Sequence, residues 1–313
     1  MQMSDRIGKR IRLQDVHVLM AVVQAGSMGK AARHLNTSQP NISKAIGDLE
    51  RALGVRLLDR HRQGIEPTEY GRALLDGGTI VFDELRQTVK NIEFLADPTA
   101  GEVRIGSNTA LAASFTSAVI DRLSQRYPRM TVRLVSGFNE TLLEKLRARD
   151  LDLLIARRFG AIDGEPVDFE SLFDDTCVIA AGAESPWVRR RRIALAELIN
   201  EPWVLPPRGT GVISIAQESF RAAGLDYPRT VVVADSPLAR MNLVATGRFL
   251  TIFTVSTLRF PVKRPELKVL PVELPPARFP NGIVVLKNRT LTPVARLFIE
   301  AAREVARPLA KRL

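Results

Sequence analysis

The feature that most constrains this chain is the run at residues 27–60, SMGKAARHLNTSQPNISKAIGDLERALGVRLLDR. It contains two helix starts close together. Ser27 is placed to cap the helix MGKAARHL, Asn36 and Thr37 break it, and Thr37 or Ser38 caps the next. Pro40 falls in the first turn of this third helix, where its missing N–H costs nothing, and Gly54 ends it. On a helical wheel Ile42, Ile46, Leu49 and Leu53 share one sector about 60° wide. Pro40, Lys44, Gly47 and Arg51 lie on the far side. Such a helix packs along one stripe and shows a slim, basic, partly small surface elsewhere. Before it, LQDVHVLMAVVQA at residues 13–25 is apolar enough for a helix buried on most sides. After it, VRLLDRHRQGIEPT predicts two short strands around Arg62, Gln63 and Gly64.

A slim helix that is polar at its leading end and held from behind by apolar packing suits the DNA major groove. Gln39 is placed to pair with adenine edges, while Ser27, Ser43 and Lys44 are placed to hold phosphates. Arg62, at the tip of the two-strand wing, suits a minor groove or its phosphates. Thr37, Ser38, Pro40, Asn41 and Arg60 complete the candidate surface. Charge points the same way. The first 65 residues hold eleven Lys/Arg against five Asp/Glu, so over half of the net +11 sits in about a fifth of the chain. A plain helical bundle with a basic face is the competing interpretation. Three further features weigh against it: the wing, a long helix after it, and a different remainder.

That long helix is predicted from Thr68 to Leu95, closing before Asp97-Pro98. Leu74, Val81, Leu85, Ile92 and Leu95 recur at an irregular three/four spacing, suited to pairing with a second helix. Gly77-Gly78 costs helix propensity, about 1 kcal/mol each, and would let a partner helix approach. From Gly101 onward short apolar runs alternate with helical segments: GEVRIG, MTVRLVSG and LDLLIARR, then CVIAAG, PWVLPP, RTVVVADS and FLTIFTVS, and finally ELKVLPVEL and NGIVVLKN before a last helix. Alternation of this kind predicts parallel α/β sheets, and two sets with a late return predict two lobes around a cleft.

The stretch AGSMGKAARHLNTSQPNISKAIGDLERALGVRLLDR, the following PTEYGRALL, AGEVRIG and VATGRFLTIF closely resemble the LysR-type transcriptional regulators, and the resemblance covers nearly the whole chain. Met28 departs from the aromatic residue many relatives place there, and Asn41 from a frequent alanine. The resemblance implies a bacterial DNA-binding regulator, a homodimer or homotetramer, with RNA polymerase as a further partner. The implied fold is α/β with an N-terminal all-α winged helix-turn-helix at residues 1–67 and a linker helix at 68–96. A two-lobed effector domain like periplasmic binding proteins (type 2) follows at 97–313. Its first lobe is expected at about 101–165 and 270–313, and its second at about 166–269.

In a two-lobed domain, ligand contacts come from strand ends and helix starts that face the cleft. Ser107, Asn108, Thr109, Asn139 and Arg157 are the candidates from the first lobe, and Arg208, Gly209, Thr210 and Ser236 from the second. Each alone is more often a cap or turn former; their recurrence at equivalent element ends is the stronger argument. Arg157 and Arg208 could grip a carboxylate bidentately, though Arg157 could instead pair with Asp163 or Glu165. The effector expected is a small molecule, with a carboxylate or sugar-derived acid suggested by these anion-friendly ends.

No enzyme emerges. His17, His34 and His61 show no metal-ligand spacing, no nucleophile-elbow pattern occurs, and Asp174 and Asp175 are adjacent on an expected strand and so point to opposite faces. No cofactor or metal is expected. Cys177, the single cysteine, sits in DDTCVIAAG as a core residue and fits a reducing cytoplasm. No apolar run reaches the roughly 20 residues of a membrane span, and the N-terminus lacks a signal-peptide pattern. The alternative is a solute-binding protein of a transport system, which would need export and would lack the basic helical head.

Overall fold

The computed structural model describes residues 10–61, 64–158, 164, 166–207, 211–259, 265–274 and 278–310. The chain forms two compact units, Met1–Val89 and Lys90–Leu313.

The first unit comprises α1 (Leu13–Ala25), α2 (Met28–His34), α3 (Gln39–Leu53), the hairpin β1 (Leu58–His61) and β2 (Gly64–Pro67), and most of α4 (Glu69–Ala96). The expected caps form. Ser27 Oγ accepts from the Lys30 N–H at 3.1 Å and Ser38 Oγ from the Asn41 N–H at 3.4 Å. Gly26 and Gly54 close α1 and α3 at φ 69° and 74°, the left-handed region that glycine enters without steric cost. Leu19 and Val22 of α1, Ala31 of α2, Ile42, Ile46 and Leu49 of α3, and Leu57 and Leu58 of the wing bury together. Each fully buried aliphatic is worth about 1.5–3 kcal/mol.

Two contacts fix what surrounds this core. Glu50 Oε1 accepts from Leu57 N at 2.8 Å and Leu58 N at 3.4 Å, clamping the wing to α3. The start of α4 lies close against the head. A Cβ on Gly71 would stand 2.1 Å from the Leu57 carbonyl oxygen, and one on Gly78 would stand 2.8 Å from Val16 Cγ1. The seat expected for a partner helix at Gly77-Gly78 is therefore half taken: Gly78 admits α1 of the same chain, while Gly77 has open space beside it. Leu74 likewise packs into the head. Val81, Leu85, Ile92 and Leu95 remain exposed.

The second unit holds two five-stranded sheets. The first comprises β3 (Ala100–Asn108), β4 (Arg129–Gly137), β5 (Leu153–Arg157), β6 (Val167–Asp175) and β12 (Phe279–Leu286), in the order β4-β3-β5-β12-β6. The second comprises β7 (Cys177–Gly182), β8 (Trp203–Leu205), β9 (Thr230–Val233), β10 (Leu250–Thr254) and β11 (Leu267–Val269), in the order β11-β7-β10-β8-β9. Around the first sheet pack α5 (Thr109–Leu111), a π-helical turn at Ala112–Thr116, α6 (Ser117–Arg126), α7 (Asn139–Arg147) and α11 (Pro293–Ala310). α8 (Gly211–Ala222) and α9 (Pro237–Ala245) pack on the second, and α10 (Val255–Arg259) continues from β10 to lie against the π-helical turn of the first lobe.

The sheets are mixed, which corrects the expectation of parallel ones. β3 is parallel to β4 and β5, and β8 to β9 and β10, but β12 runs antiparallel to β5 and β6, and β7 antiparallel to β10 and β11. Parallel neighbours need a crossover connection. β6 and β7, by contrast, are separated by Thr176 alone, so the chain passes directly from one sheet to the other. This also moves the expected start of the second lobe: β6 pairs with β12 in the first sheet, so the crossing falls at Thr176, not near residue 166.

Candidate DNA-binding surface and effector cleft

On the head, Thr37, Ser38, Gln39, Pro40, Asn41, Lys44 and Arg60 are exposed and Ser27 and Ser43 half-buried. Those from Thr37 to Lys44 gather around the start of α3, while Ser27 caps α2 and Arg60 lies opposite Ile65 in the wing. Arg62 lies outside the described residues. The hydroxyls of Ser27 and Ser38 are engaged as caps, and Asn41 Nδ2 donates to Thr37 Oγ1 at 3.2 Å. Gln39 reaches back over α2, with Oε1 3.4 Å from where a Gly29 Cβ would stand; the small residue there leaves room for it. Arg51 is turned along its own helix, paired with Asp48 and donating to the Gly47 carbonyl at 3.2 Å. Lys44 projects from the same exposed face as Pro40, one helical turn further on. The head therefore offers a polar helix start and a cation on a rigid apolar base.

In the second unit the candidate residues divide. Ser107 is fully buried, its hydroxyl 2.8 Å from Thr116 Oγ1, so it serves the first lobe's interior. Asn108 Oδ1 caps α5, accepting from Ala110 N and Leu111 N at 3.1 and 3.2 Å, and Thr109 is exposed beside it. Ser236 caps α9, accepting from Ala239 N at 3.2 Å. Arg208, Gly209 and Thr210 lie outside the described residues, as do Asp163 and Glu165.

Asn139 and Arg157 meet in a buried polar network where the chain crosses between the sheets. Arg157 donates through Nε to Asn281 Oδ1 at 3.2 Å and through a terminal nitrogen to Thr254 Oγ1 at 2.8 Å. That nitrogen also stands 3.7 Å from Asp175 Oδ2, and the guanidinium lies over the Phe279 ring. Asn139 Nδ2 donates to the Arg157 carbonyl at 3.0 Å. Asp175 accepts from Thr176 N and Ser256 N at 3.0 and 3.1 Å and from Ser256 Oγ at 2.5 Å. Arg157, expected to grip a ligand, is thus a structural hub joining β5, β6, β10 and β12. Burial pulls its guanidinium below the ordinary value, and Asp175 opposes that pull.

Arg240 was not among the sequence candidates. It is buried on α9, donates to the Ile252 carbonyl at 3.2 Å and lies over the Phe253 ring. A signal for it was present: Pro237, Arg240, Met241 and Val244 follow the three/four spacing of a buried helix face, and all four are buried. Burial, and then the nearby Arg157 charge, lower its guanidinium to about 10.

Comparison with known proteins decides the family. Residues 13–72 match the bacterial regulatory helix-turn-helix protein, lysR family, and residues 96–307 match the LysR substrate binding domain. The chain belongs to the LysR family. The HTH-type transcriptional regulator GbpR of Azospirillum brasilense is 28% identical over 295 residues, covering 94% of this chain and 86% of the relative. A full-length OxyR variant from Pseudomonas aeruginosa superposes with a TM-score of 0.68 at 20% identity, over 97% of this chain and 99% of that one. Full-length CbnR complexed with its target DNA superposes with a TM-score of 0.63 at 22% identity, over 94% and 100%.

The LysR-family chain is a DNA-binding transcription regulator that carries a substrate-binding domain. The transport-protein alternative is not favoured, because the match includes the helix-turn-helix as well as the two-lobed domain. Among the described residues no helix is long and apolar enough to cross a membrane, and no group of three His, Cys, Asp or Glu is placed to hold a metal ion.

Proposed function

We propose that the protein is a cytoplasmic, effector-responsive regulator that reads its operator mainly through Gln39. In this reading Ser27, Thr37, Ser38, Pro40, Asn41, Ser43, Lys44, Arg60 and Arg62 position the head on the phosphate backbone and groove walls. The observation that carries the proposal is the start of α3, exposed and polar, on a helix whose Ile42, Ile46 and Leu49 are locked into the head. A rigid helix start lets a glutamine meet an adenine edge in defined geometry. The protein acts as a homodimer or homotetramer, held in part by the exposed apolar face of α4, with RNA polymerase as its partner at the promoter. A small effector binds between the lobes of the second unit, where Asn108, Thr109, Asn139 and Ser236 lie at strand ends and helix starts.

Gln39→Ala tests the readout. The variant should lose about 1–3 kcal/mol on the specific operator and far less on random DNA. Lys44→Ala should weaken both alike and lower the salt dependence by about one phosphate contact. Equal loss on both DNAs for Gln39→Ala removes it as the base-reading residue.

A further inference from the structure

Among the described residues, three buried polar atoms beside Arg157 have no hydrogen-bond partner: Arg240 Nε, Asn281 Nδ2 and Asn139 Oδ1. Their side chains come from both lobes, Arg240 from α9 in the second and Asn139 and Asn281 from α7 and β12 in the first. The amide orientations are fixed by the other ends. Asn281 Oδ1 accepts from Arg157 Nε, and Asn139 Nδ2 donates to the Arg157 carbonyl. Reversing either would set like against like. The unmet atoms are therefore two donors and one acceptor.

Charge narrows the chemistry further. Arg157 and Arg240 reach the same end of β10, at Thr254 and at the Ile252 carbonyl, two residues or about 7 Å apart along the strand. Among the described buried residues of this cluster, one carboxylate, Asp175, stands against these two cations. Both its oxygens are engaged by Thr176, Ser256 and Arg157. Asp235, the carboxylate that acts on Arg240 from outside, is exposed and solvated. A buried cation without its own counter-charge is costly, and a bound anion removes that cost. The lowered value of Arg240 agrees with this imbalance.

We infer that the effector is a small monocarboxylate bearing a hydroxyl or amino donor, its carboxylate held by Arg240 and Asn281 and its donor by Asn139. This rests on the reading of the inter-lobe region as the effector site and adds its chemical class. Arg240, not Arg157, is the anion anchor, because the Nε of Arg157 is already given to Asn281 and that of Arg240 to no described group. Since the three groups belong to different lobes, one ligand ties the lobes together.

The test is thermal unfolding of the full chain with four probes at tens of millimolar, ionic strength matched with chloride: acetate, glycolate, acetamide and glycolamide. The acids should raise Tm by about 2–5 °C, glycolate more than acetate, and the uncharged amides should leave it unchanged. Arg240→Gln should abolish the response to both acids, and Arg240→Lys should retain part of it. Asn139→Ala should remove only the advantage of glycolate over acetate. Should Arg240→Gln fail to fold, the Lys and Asn139 variants still decide. Amides as effective as acids, no response to acids in the wild type, or an Arg240→Gln variant that still responds would each overturn the assignment. None of these readouts involves DNA, so an intact operator footprint beside such a result removes the ligand class and leaves the regulator standing.

Discussion

Cys177 opens β7 directly after the crossing between the sheets, half-buried among charged neighbours. Burial pushes its thiol from 9.0 up to about 12; Asp175 adds to the rise and the Arg157 guanidinium opposes it. Only a thiolate attacks disulfides or peroxides at a useful rate, so a thiol held this high is poorly suited to redox sensing. At pH 8 its thiolate fraction is about one in ten thousand. We expect Ellman's reagent to label the native protein far more slowly than the same protein in denaturant, the native rate rising about tenfold per pH unit. A native rate equal to the denatured one would show that the thiol is neither buried nor held protonated. The sign for stability follows from the same shift. Between pH 9 and about 12 the folded chain keeps a proton that the unfolded chain has lost, so Cys177 makes stability fall as pH rises through that window. That Cys177 packs against the second lobe's core was legible from its apolar run, but it is half-buried there and not a full core residue as expected. The Arg157 guanidinium that opposes the rise was not legible, because it reaches the thiol from β5 in the other sheet, whereas Asp175 stands only two residues away in the sequence. Arg157 itself was picked out by its place at a strand end, but its partners Thr254 and Asn281 lie about a hundred residues on.

At the scale of elements, α4 shows the division between local and long-range information. Its exposed residues Val81, Leu85, Ile92 and Leu95, with Thr88 between them, alternate at spacings of four and three, the seam of a paired helix. Leu85 is 45% exposed and outside the head's core, so changing it leaves that core intact. Leu85→Glu should yield smaller species in sedimentation at micromolar concentration while the melting of the head is preserved. An unchanged mass would move assembly to the second unit. Helix limits in the head were legible because caps, breakers and the apolar stripe are local signals, and α3 begins and ends where Ser38 and Gly54 place it. The neighbour of Gly78 was not legible, since a glycine in a helix announces a close approach without naming the approaching chain. Strand direction was hidden for a related reason: an apolar run looks the same in either direction, and β12 is antiparallel to β5 and β6 only because the chain returns from the other sheet.

At the scale of the whole molecule, the two units are joined covalently through α4, 28 residues and so about 42 Å along its axis. An effector shifts only an equilibrium between states that it binds unequally. The Arg157 network and α10 link one lobe of the second unit to the other where the chain crosses, so we expect those states to differ in how closely the two sheets approach. In a symmetric assembly paired along α4, a small change in lobe closure alters the spacing or angle between paired heads, and with it the bend imposed on DNA. A coupling of about 1–3 kcal/mol between effector and operator is enough for a useful response. We therefore expect the footprint of the full-length protein to shorten or shift when the effector is added, with a changed bend in a circular-permutation assay. A preparation of residues 1–96 should bind the same operator more weakly and ignore the effector, since it lacks the lobes that distinguish the states. An effector that altered occupancy while leaving footprint and bend identical would exclude the geometric route, and the coupling would then be an affinity change within each head.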